Sequence, residues 1–425
     1  MLRPSRCSTV VVLASMFALV SACSGASNVA LESGDGGGDP GSSSGGAGNA
    51  SGSGGSATSS GGGVAGGSGA AAGSSSGSSG GGSSSGGGGG SSSSGGGGGG
   101  SSSGTGGGTS SSGSSSGSGS SSGGGSAGNP TLITEPDDGM TPIYDLISSA
   151  TKTLDMTMYE LVDTQVTSLL TGLAKKGVTV RVILDQNLEK SSNAAAYSAL
   201  GAGGVQVHWA NPTYAATHQK TITVDSTTSA VMSLNLVSED YATTRDFAVI
   251  TTDAADVAAI EATFASDFTN ASVTPPTGDD LVWSPTNSQT SMVDVINGAT
   301  QSLAVENEEM SDSAIVAALG SAASRGVSVE VIMTASSSYD SEFSTLKGDG
   351  VKVVTYASNA SLYIHAKVIL ADYGASAAKV FVGSENFSSA SLTENRELGI
   401  VTSNAAILSG IHTTLASDYA GGTAY

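Results

Sequence analysis

Lys176-Gly177-Val178-Thr179-Val180 returns later in the chain as Arg325-Gly326-Val327-Ser328-Val329, and this pair decides the fold. In each copy a glycine closes a helical stretch and an apolar run opens a strand. The match extends outward. Thr151-Lys152-Thr153-Leu154 corresponds to Thr300-Gln301-Ser302-Leu303, and Leu132-Ile133-Thr134-Glu135-Pro136 corresponds to Leu281-Val282-Trp283-Ser284-Pro285. A repeat of this length means two copies of one structural unit. The copies meet at the turn-rich Thr274-Pro275-Pro276-Thr277-Gly278-Asp279-Asp280, which gives lobes over 129–273 and 281–425.

Helices and strands alternate within each lobe. Thr141 and Pro142 sit where an N-cap and first helical residue belong, ahead of Ile143, Leu146, Ile147 and Ala150 at helical spacing. A strand is expected from Leu154 to Tyr159, then a helix from Asp163 with Val166, Leu169, Leu170 and Leu173 on one face, stopped by Gly177. Val178 to Leu184 is a nearly continuous apolar run, as a strand covered by helices on both sides requires. The fold class is therefore α/β: two homologous lobes, each a mixed sheet flanked by helices, forming one pseudo-twofold unit.

The N-terminus has a different character. Arg3 and Arg6 precede an apolar run from about Val10 to Val20, which ends in Val20-Ser21-Ala22-Cys23. The run is too short to span a bilayer and reads as an export signal over residues 1–22. Its last four residues resemble the bacterial lipobox, which implies lipidation of Cys23; Ser24 after that cysteine points by the same resemblance to the outer membrane. Cleavage without lipidation, leaving a secreted protein, is the alternative. Residues 23–128 are mostly Gly and Ser, a composition that buries too little apolar surface to order itself, so a disordered tether is expected. Cys7 leaves with the signal, so the folded part has no disulfide and no thiolate metal site.

Nearly all of the net charge of −21 falls on the two lobes. Non-specific nucleic-acid binding relies on a basic surface, so the composition argues against that partner without excluding a local basic pocket.

Of the 4 histidines, two open the same motif: His218-Gln219-Lys220 running to Asp225, and His365-Ala366-Lys367 running to Asp372. After a short turn each half carries a Ser-x-Asn, Ser233-Leu234-Asn235 and Ser384-Glu385-Asn386, and then an arginine beside a carboxylate, Arg245-Asp246 and Arg396-Glu397. Residues two apart in a strand share a face, so each imidazole is expected beside its ammonium. Converging imidazole, ammonium and amide donors suit a phosphoryl centre, where charge builds on the equatorial oxygens. His208 and His412 lack these neighbours and read as structural.

These paired motifs resemble the phospholipase D superfamily, with its HxKxxxxD and GSxN signatures, over the whole of 129–425. The resemblance implies a phosphodiesterase that needs no metal or other cofactor and works through a phosphohistidine. Its catalytic groups would be His218, Lys220, Asn235, His365, Lys367 and Asn386, with His218 the nucleophile and His365 the acid, although the two could be exchanged. Asp246 and Glu397 are the candidates to orient the imidazoles, within a lobe or across the two. Ser233 and Ser384 join them behind the donors, as do Asp225 and Asp372, whose opposite strand parity gives them a structural part.

Two departures stand out. The first amide motif has Met232 where the second has Gly383, which would narrow the backbone's approach to phosphate. The second lobe has Glu306-Asn307-Glu308-Glu309 where the first has Thr157-Met158-Tyr159-Glu160, so Glu306 and Glu308 either face the cleft or form a solvated acidic edge. The expected substrate is a phospholipid phosphodiester, hydrolysed or transferred to another alcohol, at an envelope membrane reached through the lipid anchor. A nuclease of the same fold and an inactive surface-binding module are the rivals. The built-in repeat completes the site in one chain, so a monomer is expected.

Overall fold

The computed structural model describes residues 130–425. The export signal, Cys23 and the Gly/Ser tether lie outside the described residues.

Both lobes are built on one plan. The first sheet runs, in spatial order, Thr131–Glu135, Thr244–Thr251, Thr228–Met232, Thr221–Val224, Thr153–Met158, Thr179–Leu184, Gln206–Trp209. The second repeats this order with Leu281–Ser284, Glu397–Thr402, Lys379–Gly383, Val368–Ala371, Ser302–Glu306, Ser328–Thr334 and Lys352–Tyr356, and adds Thr423–Ala424 at its edge. Each sheet is mixed: Thr153–Met158 and Thr179–Leu184 are parallel, whereas Thr153–Met158 and Thr221–Val224 are antiparallel.

The apolar run of the first lobe has helices on both faces, as its pattern requires. Val180, Val182 and Leu184 point into a core with Val166, Leu170 and Leu200 from two helices. On the other face Ile183 packs with Phe264 and Phe268 of the helix Ala254–Phe268. The recurring helix Thr164–Lys175 starts from Asp163, whose carboxylate accepts from the amides of Gln165 and Val166; Asp312 does the same for Ser313–Ser324. The first helix departs from expectation: it spans Thr141–Ser148, with Met140 at the N-cap and no side-chain cap, because Pro142 already removes one orphan amide donor.

A third core joins the lobes. Val231, Phe247 and Val249 from the first meet Trp283, Ile364, Val368 and Leu398 from the second. Two matched ion pairs cross the same boundary. Arg245 grips Asp418 on the last helix of the second lobe at 2.6 Å, and Arg396 grips Asp267 on the last helix of the first at 3.0 Å. All four side chains are buried. Removing one partner would strand a buried charge, so these pairs fix the mutual register of the lobes.

Candidate active site

Each HxK segment comes just before a strand instead of inside it, because its backbone is engaged by the other lobe. The amide of Gln219 donates to the carbonyl of Arg396 at 3.0 Å, and that of His365 donates to the carbonyl of Arg245 at 3.2 Å. Tyr363–Ile364 thereby adds a short parallel strand to the first sheet, paired with Thr244 and Arg245. Each histidine consequently lies beside the arginine-carboxylate pair of the opposite lobe. The expectation that strand alternation alone sets the His and Lys on one face is corrected accordingly: the extended segment and its partner lobe set them.

The orienting contacts are reciprocal and run across the lobes. His218 Nδ1 lies 2.7 Å from Glu397 Oε2, and His365 Nδ1 lies 2.7 Å from Asp246 Oδ1. His218 Nδ1 also faces the Ser384 carbonyl at 3.1 Å. Both neighbours of that nitrogen are acceptors only, so it carries the proton and donates, which leaves the lone pair on Nε2. Ser233 steadies Asp246 by donating its hydroxyl at 2.6 Å, while Ser391 and Asn395 donate to Glu397 at 2.5 and 2.9 Å. Ser384 is turned to the backbone instead, accepting from the amide of Leu398 at 3.2 Å.

Lys220 Nζ donates to the carbonyl of His218 at 2.7 Å, and Lys367 Nζ donates to that of His365. Each ammonium is thus tied to the backbone of its own histidine. The lysines are 1% and 0% exposed, whereas His218, Asn235 and Asn386 keep 7%, 8% and 6%, so the ring edge and amides retain some contact with solvent and the ammonium groups lie deeper. Asn235 Oδ1 and Asn386 Oδ1 have no hydrogen-bond partner in the protein.

Electrostatics separate the two halves. Burial pulls the His218 imidazole below its usual range; Lys220 and Lys367 add to the effect and Glu397 opposes it. Burial also disfavours charge on Glu397, but His218, Lys220 and the Ser391 hydroxyl outweigh it and hold this carboxyl below its ordinary value. In the first lobe the edge of Tyr159 meets the His218 ring at 4.5 Å, and Lys220 Nζ lies 4.7 Å from the Tyr159 centroid. In the second lobe the matching residue is Glu308, whose Oε2 is 3.0 Å from Lys367 Nζ and 3.5 Å from His365 Nε2.

Asp225 and Asp372 take the structural part that their parity implies, whereas the readings of Gly383 and of the stretch from Glu306 to Glu308 change. Asp225 and Asp372 do not touch the imidazoles. Each sits at positive φ, 52° and 54°, just past a strand. Asp225 accepts from the amides of Thr151, Lys152 and Thr153, and Asp372 from those of Thr300, Gln301 and Ser302. A side chain at Gly383 would meet Glu385, Gly399 and the Phe381 ring, so this glycine makes room for the buried Glu385 and does not serve approach to phosphate. The first lobe has Leu234 in place of Glu385 and accommodates Met232 in its core. Glu306 and Glu308 are buried, so neither belongs to a solvated edge. Glu306 lies behind the site near Asp418 and Arg245, and burial and Asp418 raise it well above the carboxylate range. His208 stacks on Phe268 at 4.0 Å and His412 on Tyr373 at 3.9 Å, both away from the paired motifs.

Arg245 and Arg396 stand out in the sequence, but their interlobe task does not. Their recurrence beside the carboxylates was the available signal; their partners on distant helices gave none. Among the described residues no group of three or more His, Cys, Asp or Glu side chains could hold a metal ion, and no helix is long and apolar enough to cross a membrane.

Two lobes of one topology, each lending a carboxylate to the other's histidine, define a two-motif phosphodiester-handling architecture, and the comparisons give it a family. The family described as "Cardiolipin synthase, PLD-like domain" matches residues 143–268 and again 292–419, and the chain belongs to this phospholipase D-like family. Among solved structures the chain is similar to a polyphosphate kinase from Porphyromonas gingivalis, with TM-score 0.54 and 14% identity over 68% of this chain and 50% of that one. It thus spans about half the length of that kinase. A phosphatidylserine synthase from Haemophilus influenzae gives TM-score 0.53 and 11% identity over 70% of this chain and 87% of that one. Nuc from Salmonella typhimurium, a phospholipase D family member, matches 35% of this chain and 99% of its own, with 18% identity and TM-score 0.31. No curated protein sequence matches the chain.

Proposed function

We propose that the chain is a phosphodiesterase of phospholipase D type, acting on a phospholipid phosphodiester through a phosphohistidine on His218. The observation that carries the reading is the crossed pair of contacts, His218 with Glu397 and His365 with Asp246, each at 2.7 Å. Each contact occupies Nδ1 and leaves Nε2 for chemistry. The neutral character that burial imposes on His218 suits a nucleophile. His365 instead has a carboxylate near each ring nitrogen, Asp246 at Nδ1 and Glu308 at Nε2, so the part of proton carrier falls to it.

The lone pair of His218 Nε2 forms a P–N bond as the P–O bond to the leaving alcohol breaks. His365 gives its Nε2 proton to the departing oxygen. The now neutral His365 then takes a proton from water as the water oxygen attacks phosphorus and the P–N bond breaks, releasing a phosphate monoester and restoring His218. An alcohol in place of water gives transfer. Lys220 and Lys367 supply fixed positive charge beneath the equatorial oxygens, with Asn235 and Asn386 as amide donors, so the mechanism calls for no metal.

The leaving group on this reading is a lipid headgroup alcohol. The acidic composition supports it over a nucleic acid, as do the carboxyl groups of Glu160 near Lys220 and Glu309 near Lys367. Burial raises Glu160 and Glu309 to about 7, each with further carboxylates nearby. Lipid anchoring at Cys23 and export belong to the same proposal and suit a membrane substrate. The test uses the full chain in EDTA with phospholipid vesicles, single-stranded DNA and an aryl phosphodiester. Headgroup release is expected, abolished by His218→Ala and by His365→Ala. Cleavage of DNA with vesicles untouched would establish the nuclease, and inertness toward all three would leave a binding module.

A further inference from the structure

The pseudo-symmetry of the site breaks at one position. Where the first lobe sets the neutral ring of Tyr159 against His218 and Lys220, the second sets the carboxylate of Glu308 against His365 and Lys367. Oε2 of Glu308 accepts from Lys367 Nζ at 3.0 Å and from Asn386 Nδ2 at 3.4 Å, and lies 3.5 Å from His365 Nε2. Those are the three groups that the second lobe would offer to a phosphoryl oxygen. Oε1 is held from the outside by the Tyr363 hydroxyl at 2.9 Å. Burial opposes charge here, but Lys367, His365 and the bonds from Lys367 and Tyr363 outweigh it and hold the carboxyl down at about 2. Glu309 and Tyr339 are further ionisable groups beside it.

We infer that Glu308 is a built-in anion that occupies the second lobe's phosphate position in the resting protein and selects, by charge, the monoanionic diester over the dianionic monoester. The inference rests on the phosphodiesterase reading and names what the site admits and releases. An incoming diester oxygen takes over Lys367 and Asn386, and Tyr363 keeps the displaced carboxylate close by. The local charges then balance narrowly. With the proton that His365 carries on that reading, two ammonium groups and one imidazolium face the carboxylates of Asp246, Glu397 and Glu308. One further negative charge is tolerated there, and a second meets Glu308 at short range in a poorly screened site. Hydrolysis turns a monoanion into a monoester whose second ionisation lies near about 6. Glu308 therefore expels the product and limits its inhibition.

Binding of two probes to the full chain, measured calorimetrically, separates this role from that of a strut. Dimethyl phosphate is a monoanion throughout, whereas glycerol phosphate gains its second charge between about pH 5 and about pH 8. Glu308→Gln keeps the size and the Tyr363 contact. At about pH 8 its gain in affinity for glycerol phosphate should exceed its gain for dimethyl phosphate by about tenfold or more, and at about pH 5 the two gains should coincide. Equal gains at both pH values would overturn the inference, as would weaker binding of both probes, which would make Glu308 a support for Lys367 alone. Should Glu308→Gln not fold, Tyr363→Phe loosens the same carboxylate and should shift the two probes apart in the same direction; unchanged affinities for both would overturn it too. Failure of the wild-type chain to turn over any diester would refute the enzymatic reading, and these binding measurements would still decide the charge selection.

Discussion

Each motif histidine is held by a residue that belongs to the other half of the chain. Removing the charge of Glu397 leaves His218 beside the Ser384 carbonyl alone, with its tautomer less firmly set and its neighbouring lysines uncompensated. Glu397→Gln is therefore expected to lower kcat by about 10²–10⁴-fold, with a smaller change in KM. The pH profile follows from the sign of the His218 shift. On the proposed mechanism His218 must be neutral to attack, and its imidazole is pulled below the ordinary 6.5, so the acid limb of kcat/KM should lie below that value and activity should fall as pH drops through it. A limb above it would show that the nucleophile is not this buried imidazole. At this scale the sequence was informative where spacing encodes chemistry: His218, Lys220, His365 and Lys367 were legible because the same types recur at the same intervals. Whether Asp246 and Glu397 act within or across lobes was not legible, since a repeat fixes register within each half and carries nothing about how the halves face one another. Glu308 was noticed but left between a cleft and an edge position, because the residue follows the strand Ser302–Glu306 and alternation no longer applies.

The elements that carry these residues are pinned by short polar devices. Asp225 and Asp372 gather three successive amides, each at the start of the central strand, and so fix the hairpin whose first strand follows an HxK segment. Burial opposes charge on Asp225, but the Thr151 hydroxyl and the three amides outweigh it and hold the carboxyl at about 2, well below its ordinary value. Asp372→Ala should cost about 2 kcal/mol of stability through lost charge-assisted bonds, seen as a lower denaturant midpoint, while kcat per folded molecule is kept. A loss of kcat without loss of stability would return this residue to the active site. The opposite parity of these aspartates was readable from the motif, and it separated them from the imidazoles. Their αL turn was not, because nothing in the type of residue distinguishes a carboxylate facing a cleft from one folded back on the amides behind it. The alternation of helix and strand was legible from apolar spacing. The first helix boundary slipped by one residue, where Thr141 looked like a cap and Pro142 had already made a side-chain cap unnecessary.

Across the whole molecule the two halves make one site because their mutual orientation is over-determined. The apolar core of Phe247, Trp283 and Leu398, the buried pairs Arg245 with Asp418 and Arg396 with Asp267, and the strand Tyr363–Ile364 all cross the same boundary. The repeat announced two units in the sequence, and their packing emerged only from contacts among residues more than a hundred positions apart, such as His218 with Glu397. The central claim is that two histidines from two lobes serve one phosphorus, one as nucleophile and one as proton carrier. Trapping the intermediate tests it most directly. With a phosphorus-labelled aryl diester, whose leaving group needs little protonation, the His365→Ala chain should still form the phosphohistidine and fail to hydrolyse it. Acid-free quenching and peptide mapping should then find one label per chain, on His218. Two labels per chain, a label on another residue, or turnover by wild type with no trapped label in His365→Ala would contradict a single shared site.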